Sequence, residues 1–160
     1  MYKINIKSNS PEDTLKLGKA FATLLTKGDI VVLTGELGSG KTKFVEGFLQ
    51  NYNLQDEISS PTFNIINEYI SNRNNIYHFD VYRLADSDEF YAIGGEEYFE
   101  KGIYLIEWGE MISDVLPKDY IHINILKENE NIRIFELIVN ENSKYVNILN
   151  KLKEDLTWKY

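Results

Sequence analysis

Eight consecutive residues, Gly35-Glu36-Leu37-Gly38-Ser39-Gly40-Lys41-Thr42, follow the pattern G-x-x-x-x-G-K-[ST]. Each fixed position answers a need of polyphosphate binding. A phosphate chain is held by backbone N–H groups at short range, and side chains would block that approach. Gly35, Gly38 and Gly40 remove the obstruction and permit backbone angles that other residues resist. A helix starting near Lys41 adds the positive end of its dipole. The Lys41 ammonium suits the β- and γ-phosphates of a nucleoside triphosphate, and the Thr42 hydroxyl suits Mg²⁺. A glycine-rich turn carrying a solvated lysine would show the same letters, so context decides. A buried strand must precede the loop and a helix must follow it. Ile30-Val31-Val32-Leu33 supplies the first, and Phe44, Val45, Phe48 and Leu49 recur at the spacing of the second. The chain therefore reads as one that binds a nucleoside triphosphate.

Hydrolysis asks for an acid beside the metal and a group to orient or deprotonate the attacking water. Two apolar runs end in carboxylates: Ile103-Tyr104-Leu105-Ile106 before Glu107, and Ile76-Tyr77-His78-Phe79 before Asp80. Ligands of an open α/β sheet bind beyond the carboxyl ends of its strands, where both acids would face the loop. Each also has a plainer reading, Asp80 as a turn cap or a partner of Arg83, Glu107 as a solvated strand end. Thr62, in Ser59-Ser60-Pro61-Thr62-Phe63, offers a hydroxyl to Mg²⁺ or its water shell where many such proteins keep a phosphate-sensing segment. A proline-stiffened turn is the alternative. Trp108 follows Glu107 and suits either stacking on a base or partner, or core packing. His78 reads as a hydrogen-bonded strand residue before a catalyst, and His122 shows no functional context.

The elements that must position these groups follow in order. Residues 2 to 7 alternate as a strand. Ser10-Pro11-Glu12-Asp13 is a helix start, with Ser10 as N-cap and Leu17, Ala20, Phe21 and Leu24 on one face. Gly28-Asp29 closes that helix before the strand at Ile30 to Thr34. A helix runs from Lys41 to about Tyr52, and Asn53 to Ser60 is turn-like. Phe63 to Ile70 and Ile76 to Tyr82 form an antiparallel hairpin around residues 71 to 75. Short-helix material over Asp86 to Glu100 breaks at Gly94-Gly95. A second hairpin pairs Tyr120 to Leu126 with Ile132 to Val139, and the tail from Ser143 is a helix carrying Val146, Leu149, Leu152 and Leu156. The expected architecture is α/β, a single P-loop NTPase domain over residues 1–160 with a mixed sheet flanked by helices.

Composition narrows the partners. The 160 residues carry a formal charge of −8, are 43% hydrophobic and 26% charged, and include no cysteine. That composition is globular and leaves no thiol for disulfide, metal or nucleophilic roles. Only Arg73, Arg83 and Arg133 are arginines, and no basic patch suggests a direct grip on nucleic acid. An acidic surface favours a basic protein partner instead. No run is long enough to span a bilayer and the first residues lack a signal-peptide core, so the expected location is the cytoplasm.

Read together, Gly35 to Thr42, Ser60-Pro61-Thr62-Phe63, His78-Phe79-Asp80-Val81-Tyr82-Arg83-Leu84 and Ile106-Glu107-Trp108 closely resemble the TsaE (YjeE) family. The His-x-Asp-x-Tyr-Arg and Glu-Trp elements set that family apart from other phosphate-loop proteins. The resemblance covers nearly the whole chain and implies ATP hydrolysis with Mg²⁺. It also implies work with the TsaD and TsaB proteins, whose assembly places threonylcarbamoyl on adenosine 37 of tRNA. The chain would drive or reset that assembly and not perform the transfer, meeting tRNA only through the complex. By matching positions, Thr42 and Glu107 are the implied Mg²⁺ ligands and Asp80 the second acid, near the metal or the water. Lys41 would act on the phosphates in catalysis. Gly35, Glu36, Leu37, Gly38, Ser39, Gly40, Lys41 and Thr42 line the nucleotide. Thr62, Trp108, Ser10 and Arg133 complete the implied cofactor contacts.

Two other classes fit a phosphate loop. A metabolite kinase would bring lid arginines over the transferring phosphoryl group, and this chain lacks an arginine-rich lid segment. A GTP switch would carry a guanine-reading Asn-Lys-x-Asp, which does not occur.

Overall fold

The strand that leads into the glycine-rich loop lies at the centre of a seven-stranded sheet. In the computed structural model, which describes residues 1–58, 66–81, 86–107 and 112–156, the strands are β1 (Tyr2–Ser8), β2 (Ile30–Gly35), β3 (Ile66–Tyr69), β4 (Ile76–Asp80), β5 (Ile103–Glu107), β6 (Ile121–Lys127) and β7 (Arg133–Val139). Their order is β1-β7-β6-β2-β5-β4-β3. The inner four, β6, β2, β5 and β4, run parallel, and antiparallel pairs close both edges. Ile30 to Leu33 are buried on both faces, as their unbroken apolar run requires.

Helices α1 (Pro11–Leu24), α2 (Lys41–Gln50) and α4 (Val146–Asp155) cover one face. Leu17, Phe21, Phe44, Phe48, Leu149 and Leu152 pack there on the inward residues of β1, β2, β5, β6 and β7. Across the sheet, α3 (Ser87–Ala92) and the 3₁₀ turn at 95–98 cover β4 and β5 with an aromatic cluster. Phe79 stacks on Tyr104 at 4.6 Å, and the buried Tyr104 hydroxyl donates to Gly95 O at 2.7 Å. Burial pushes that phenol well above its ordinary range, so it stays a donor. Among the described residues, no helix is long and apolar enough to cross a membrane.

Several boundaries differ from expectation. The fourth strand stops at Asp80, where β4 runs out of its partner β5 at the Asp80–Glu107 pair. The α2 helix ends at Gln50, and residues 55–57 form a 3₁₀ turn within the polar stretch. The final helix starts at Val146, and ahead of it the Ser143 hydroxyl accepts from Tyr145 N. Residues 63–65 and Tyr82 of the first hairpin lie outside the described residues.

One contact that periodicity does not reveal sets the distance between α1 and α2. A methyl group on Gly18 would stand 2.2 Å from Phe44 O, and one on Gly47 would stand 2.2 Å from Leu15 O. The two backbones approach where neither residue has a side chain, and this fixes α2 and the loop before it. Gly18→Ala should therefore cost about 1–3 kcal/mol through overpacking. A lowered urea midpoint at constant m-value is the expected result, and an unchanged midpoint would contradict the close approach.

Candidate functional site

The two helix N-termini that follow β1 and β2 are built in opposite ways. At α1, the Ser10 hydroxyl accepts from Asp13 N at 3.2 Å, the Asp13 carboxylate accepts from Asn9 N at 3.0 Å, and Glu12 and Asp13 occupy the first turn. That end is capped and charge-matched from within. At α2, the cap residue is Gly40 in the left-handed region at φ 114°, with no side-chain cap bond and no acid in the first turn. The positive end of α2 is thus left to an anion from outside the helix.

The loop between β2 and α2 is held from three sides. Gly35 has φ 147°, and a methyl group there would meet Ile125 O at 2.7 Å, so only glycine lets β2 turn off beside β6. Lys41 is buried, and its ammonium donates to Gly35 O at 2.5 Å and Glu36 O at 3.2 Å. Arg133 donates from Nε to Ser39 O at 2.8 Å and from Nη1 to Asn129 O at 2.7 Å. Its guanidinium ties the loop to the β6–β7 turn. The Ser39 hydroxyl is buried without a partner among the described residues.

Two cavities meet at Gly38, Gly40 and Lys43. One, of about 390 Å³, is lined by Lys41 and Thr42 on the loop side and by Asp80 and Glu107 on the strand ends. The other, of about 210 Å³, is lined by Ser10, Pro11, Thr14, Asn131 and Arg133. The structure brings Lys41, Thr42, Asp80 and Glu107 together, and sets Ser10 and Arg133 next door. Leu37, 90% exposed, stands at the loop tip. Thr62, Trp108 and Arg83 lie outside the described residues. A larger cavity of about 650 Å³ opens at the start of β2, lined by Glu96, Glu97, Glu100 and Asp119. It sets four carboxylates against Lys144, whereas the loop cavity sets Glu46, Asp80 and Glu107 against Lys41 and Lys43.

The acids are placed by register. Asp80 and Glu107 are opposite each other at the ends of the parallel pair β4 and β5. Glu107 is only 4% exposed, which removes the solvated strand end as an explanation. Its Oε2 lies 2.6 Å from His78 Nε2, so His78 is the hydrogen-bonded strand residue that its position suggested. Among the described residues, no group of three or more His, Asp or Glu side chains is placed to hold a metal by itself. A divalent ion would draw ligands from Glu107, Thr42 and the oxygens of a bound polyphosphate, which suits a hard cation.

A network outside the reach of sequence reasoning braces the end of β2. The Thr34 hydroxyl lies 2.8 Å from His122 Nε2 and donates to Asn124 Oδ1 at 2.9 Å. Asn124 donates to Glu136, which pairs with Lys3 at 2.8 Å. Lys3 and Asn124 hold the Glu136 carboxyl below its ordinary range. His122 therefore has a context that its own strand did not reveal, and only the pairing of β6 with β2 and β7 discloses it.

The fold and site define an α/β protein that presents a glycine-rich loop and two strand-end acids around one cavity. A family model described as "Threonylcarbamoyl adenosine biosynthesis protein TsaE" matches residues 8–135. The tRNA threonylcarbamoyladenosine biosynthesis protein TsaE of Rickettsia conorii is 38% identical over 149 residues, covering 91% of this chain and 85% of the relative. That of Bacillus subtilis is 34% identical over 160 residues, covering 94% and 100%. A crystal structure of Bacillus subtilis YdiB superposes with a TM-score of 0.78 at 30% identity, over 96% of this chain and 95% of that one. The chain belongs to the TsaE family, a family of tRNA threonylcarbamoyladenosine biosynthesis.

If Arg133 clamps the loop, Arg133→Ala should speed hydrogen exchange of the amides of residues 36–41 while leaving those of β2 protected. Equal exchange in both proteins would show that the clamp is not needed.

Proposed function

We propose that this protein is a P-loop ATPase, a single domain over residues 1–160, that uses Mg²⁺ and supports threonylcarbamoyl modification of tRNA adenosine 37 by acting on a TsaB–TsaD complex. The observation that carries the ATPase reading is the uncapped N-terminus of α2, set across a cavity from Asp80 and Glu107. A triphosphate placed there meets backbone donors at one end and acids at the other, as hydrolysis needs.

In this reading the first-turn amides of α2 and the loop take the phosphates. The Lys41 ammonium exchanges the Gly35 and Glu36 carbonyls for the β- and γ-phosphate oxygens. Thr42 and Glu107 hold Mg²⁺, which supplies charge neutralisation on the triphosphate when bound. Asp80, at the same strand-end level, orients the attacking water and accepts its proton. The nucleoside occupies the smaller cavity beside Ser10, with Arg133 holding its wall to the loop. Thr62 senses the γ-phosphate and Trp108 stacks near the nucleotide.

The partner part of the reading rests on family membership. A chain with a charge of −8 and no basic patch meets tRNA through its partners and not directly. It acts in the cytoplasm, where that assembly works.

Lys41→Ala should abolish ATP binding in calorimetry, and an unchanged affinity would refute the phosphate site. Asp80→Asn should lower hydrolysis by about 10²–10⁴-fold with little change in ATP affinity. Hydrolysis by the isolated chain should be slow and rise when TsaB–TsaD is added. Fast, partner-independent turnover, or phosphate transferred to a small metabolite, would contradict the partner role and favour a kinase.

A further inference from the structure

Glu107 presents a question that the proposed metal site does not answer by itself. A carboxylate that is 4% exposed needs a partner, and an acid that must take a cation needs a fixed direction. Among the described residues its one bond is from Oε2 to His78 Nε2 at 2.6 Å, and Oε1 makes none. His78 is itself 2% exposed. It lies two residues before Asp80 on β4, so the side chains of His78 and Asp80 leave the same face of the sheet. Glu107 shares that face with Leu105 and Ile103, which belong to the core under α2. The imidazole therefore sits beneath both acids, further from the cavity mouth than either. Its Nδ1 is buried without a partner among the described residues. Among the described residues the ring bonds to Glu107 alone, so each of the two side chains sets the position of the other.

We propose that His78 is a positioning residue for Glu107: its Nε2–H holds Oε2 so that Oε1 is presented to the divalent cation at the phosphate loop. The proposal rests on the reading of Glu107 as a metal ligand. Donors behind a ligating carboxylate are worth about 10–100-fold in metal affinity, because they remove the rotamer freedom that binding must otherwise restrict. A buried histidine serving only as filler would contribute to fold stability and leave the metal indifferent.

Replacements of different reach separate these roles. In His78→Gln the side-chain amide N–H can stand where Nε2–H stands, whereas in His78→Asn it falls short. The test is ATPγS affinity by calorimetry, in Mg²⁺ and in EDTA, for the full chain, His78→Ala, His78→Asn and His78→Gln, with thermal unfolding of each. The natural chain should bind more tightly with Mg²⁺. His78→Ala and His78→Asn should lose about tenfold or more of that gain while keeping their affinity in EDTA, and His78→Gln should recover most of it. Should His78→Ala fail to fold, the contrast between the Asn and Gln variants decides alone. A Mg²⁺-dependent gain that survives in His78→Asn would overturn the proposal. Equal losses in Mg²⁺ and EDTA would likewise assign His78 a purely structural role. A natural chain that binds equally with and without Mg²⁺ would overturn the metal site itself, which is a different failure.

Discussion

A helix end without a side-chain cap among the described residues is the constraint around which this molecule is arranged. The first N–H groups of a helix need acceptors, and at α1 the Ser10 hydroxyl supplies one from within, accepting from Asp13 N. The α2 helix does not, and every nearby feature keeps that end open and rigid. Gly40 caps without a side chain, Gly35 lets β2 turn away under Ile125, and Gly18 and Gly47 lock α2 against α1. Arg133 and Lys41 hold the loop by its carbonyls. The parallel core of the sheet then delivers β4 and β5 to the same level, with Asp80 and Glu107 at their ends.

The two faces of the sheet divide the work. The face under α1, α2 and α4 carries the large aliphatic and phenylalanine core that fixes the loop. Its far end is not purely apolar, because His78 and Glu107 form a buried polar pair below the cavity. The opposite face is an aromatic cluster built on Phe79, Phe90 and Tyr104, which holds β4 against β5 and so maintains the register of the two acids. Toward β1 the same face carries polar rows, where Thr34, Asn124, Glu136 and Lys3 bond across four strands.

How much of this was legible in the sequence depended on whether a contact was local. The strand before the loop, the helix after it and the α1 cap are written in neighbouring residues, and the structure has all three, with α2 ending at Gln50 and not near Tyr52. Asp80 and Glu107 were legible as ends of apolar runs, although their shared level required the pairing of β4 with β5. His122 read as having no role because Thr34, whose hydroxyl it meets, is 88 residues away in the chain. Arg133 was placed near the nucleotide by family resemblance, and its bonds to Ser39 and the β6–β7 turn, which reach across the fold, were not legible. Gly18 and Gly47 gave no signal at all, since a close approach of two backbones leaves no periodic trace.

The most direct test is a crystal structure of the chain grown with ATPγS and Mn²⁺, with anomalous diffraction used to locate the metal. The account predicts phosphates on the amides of residues 38–42, and one anomalous peak between the Thr42 hydroxyl and Glu107 on the side away from His78. Nucleotide bound in the acidic cavity near Glu96 and Asp119, or an anomalous peak distant from Glu107, would contradict it.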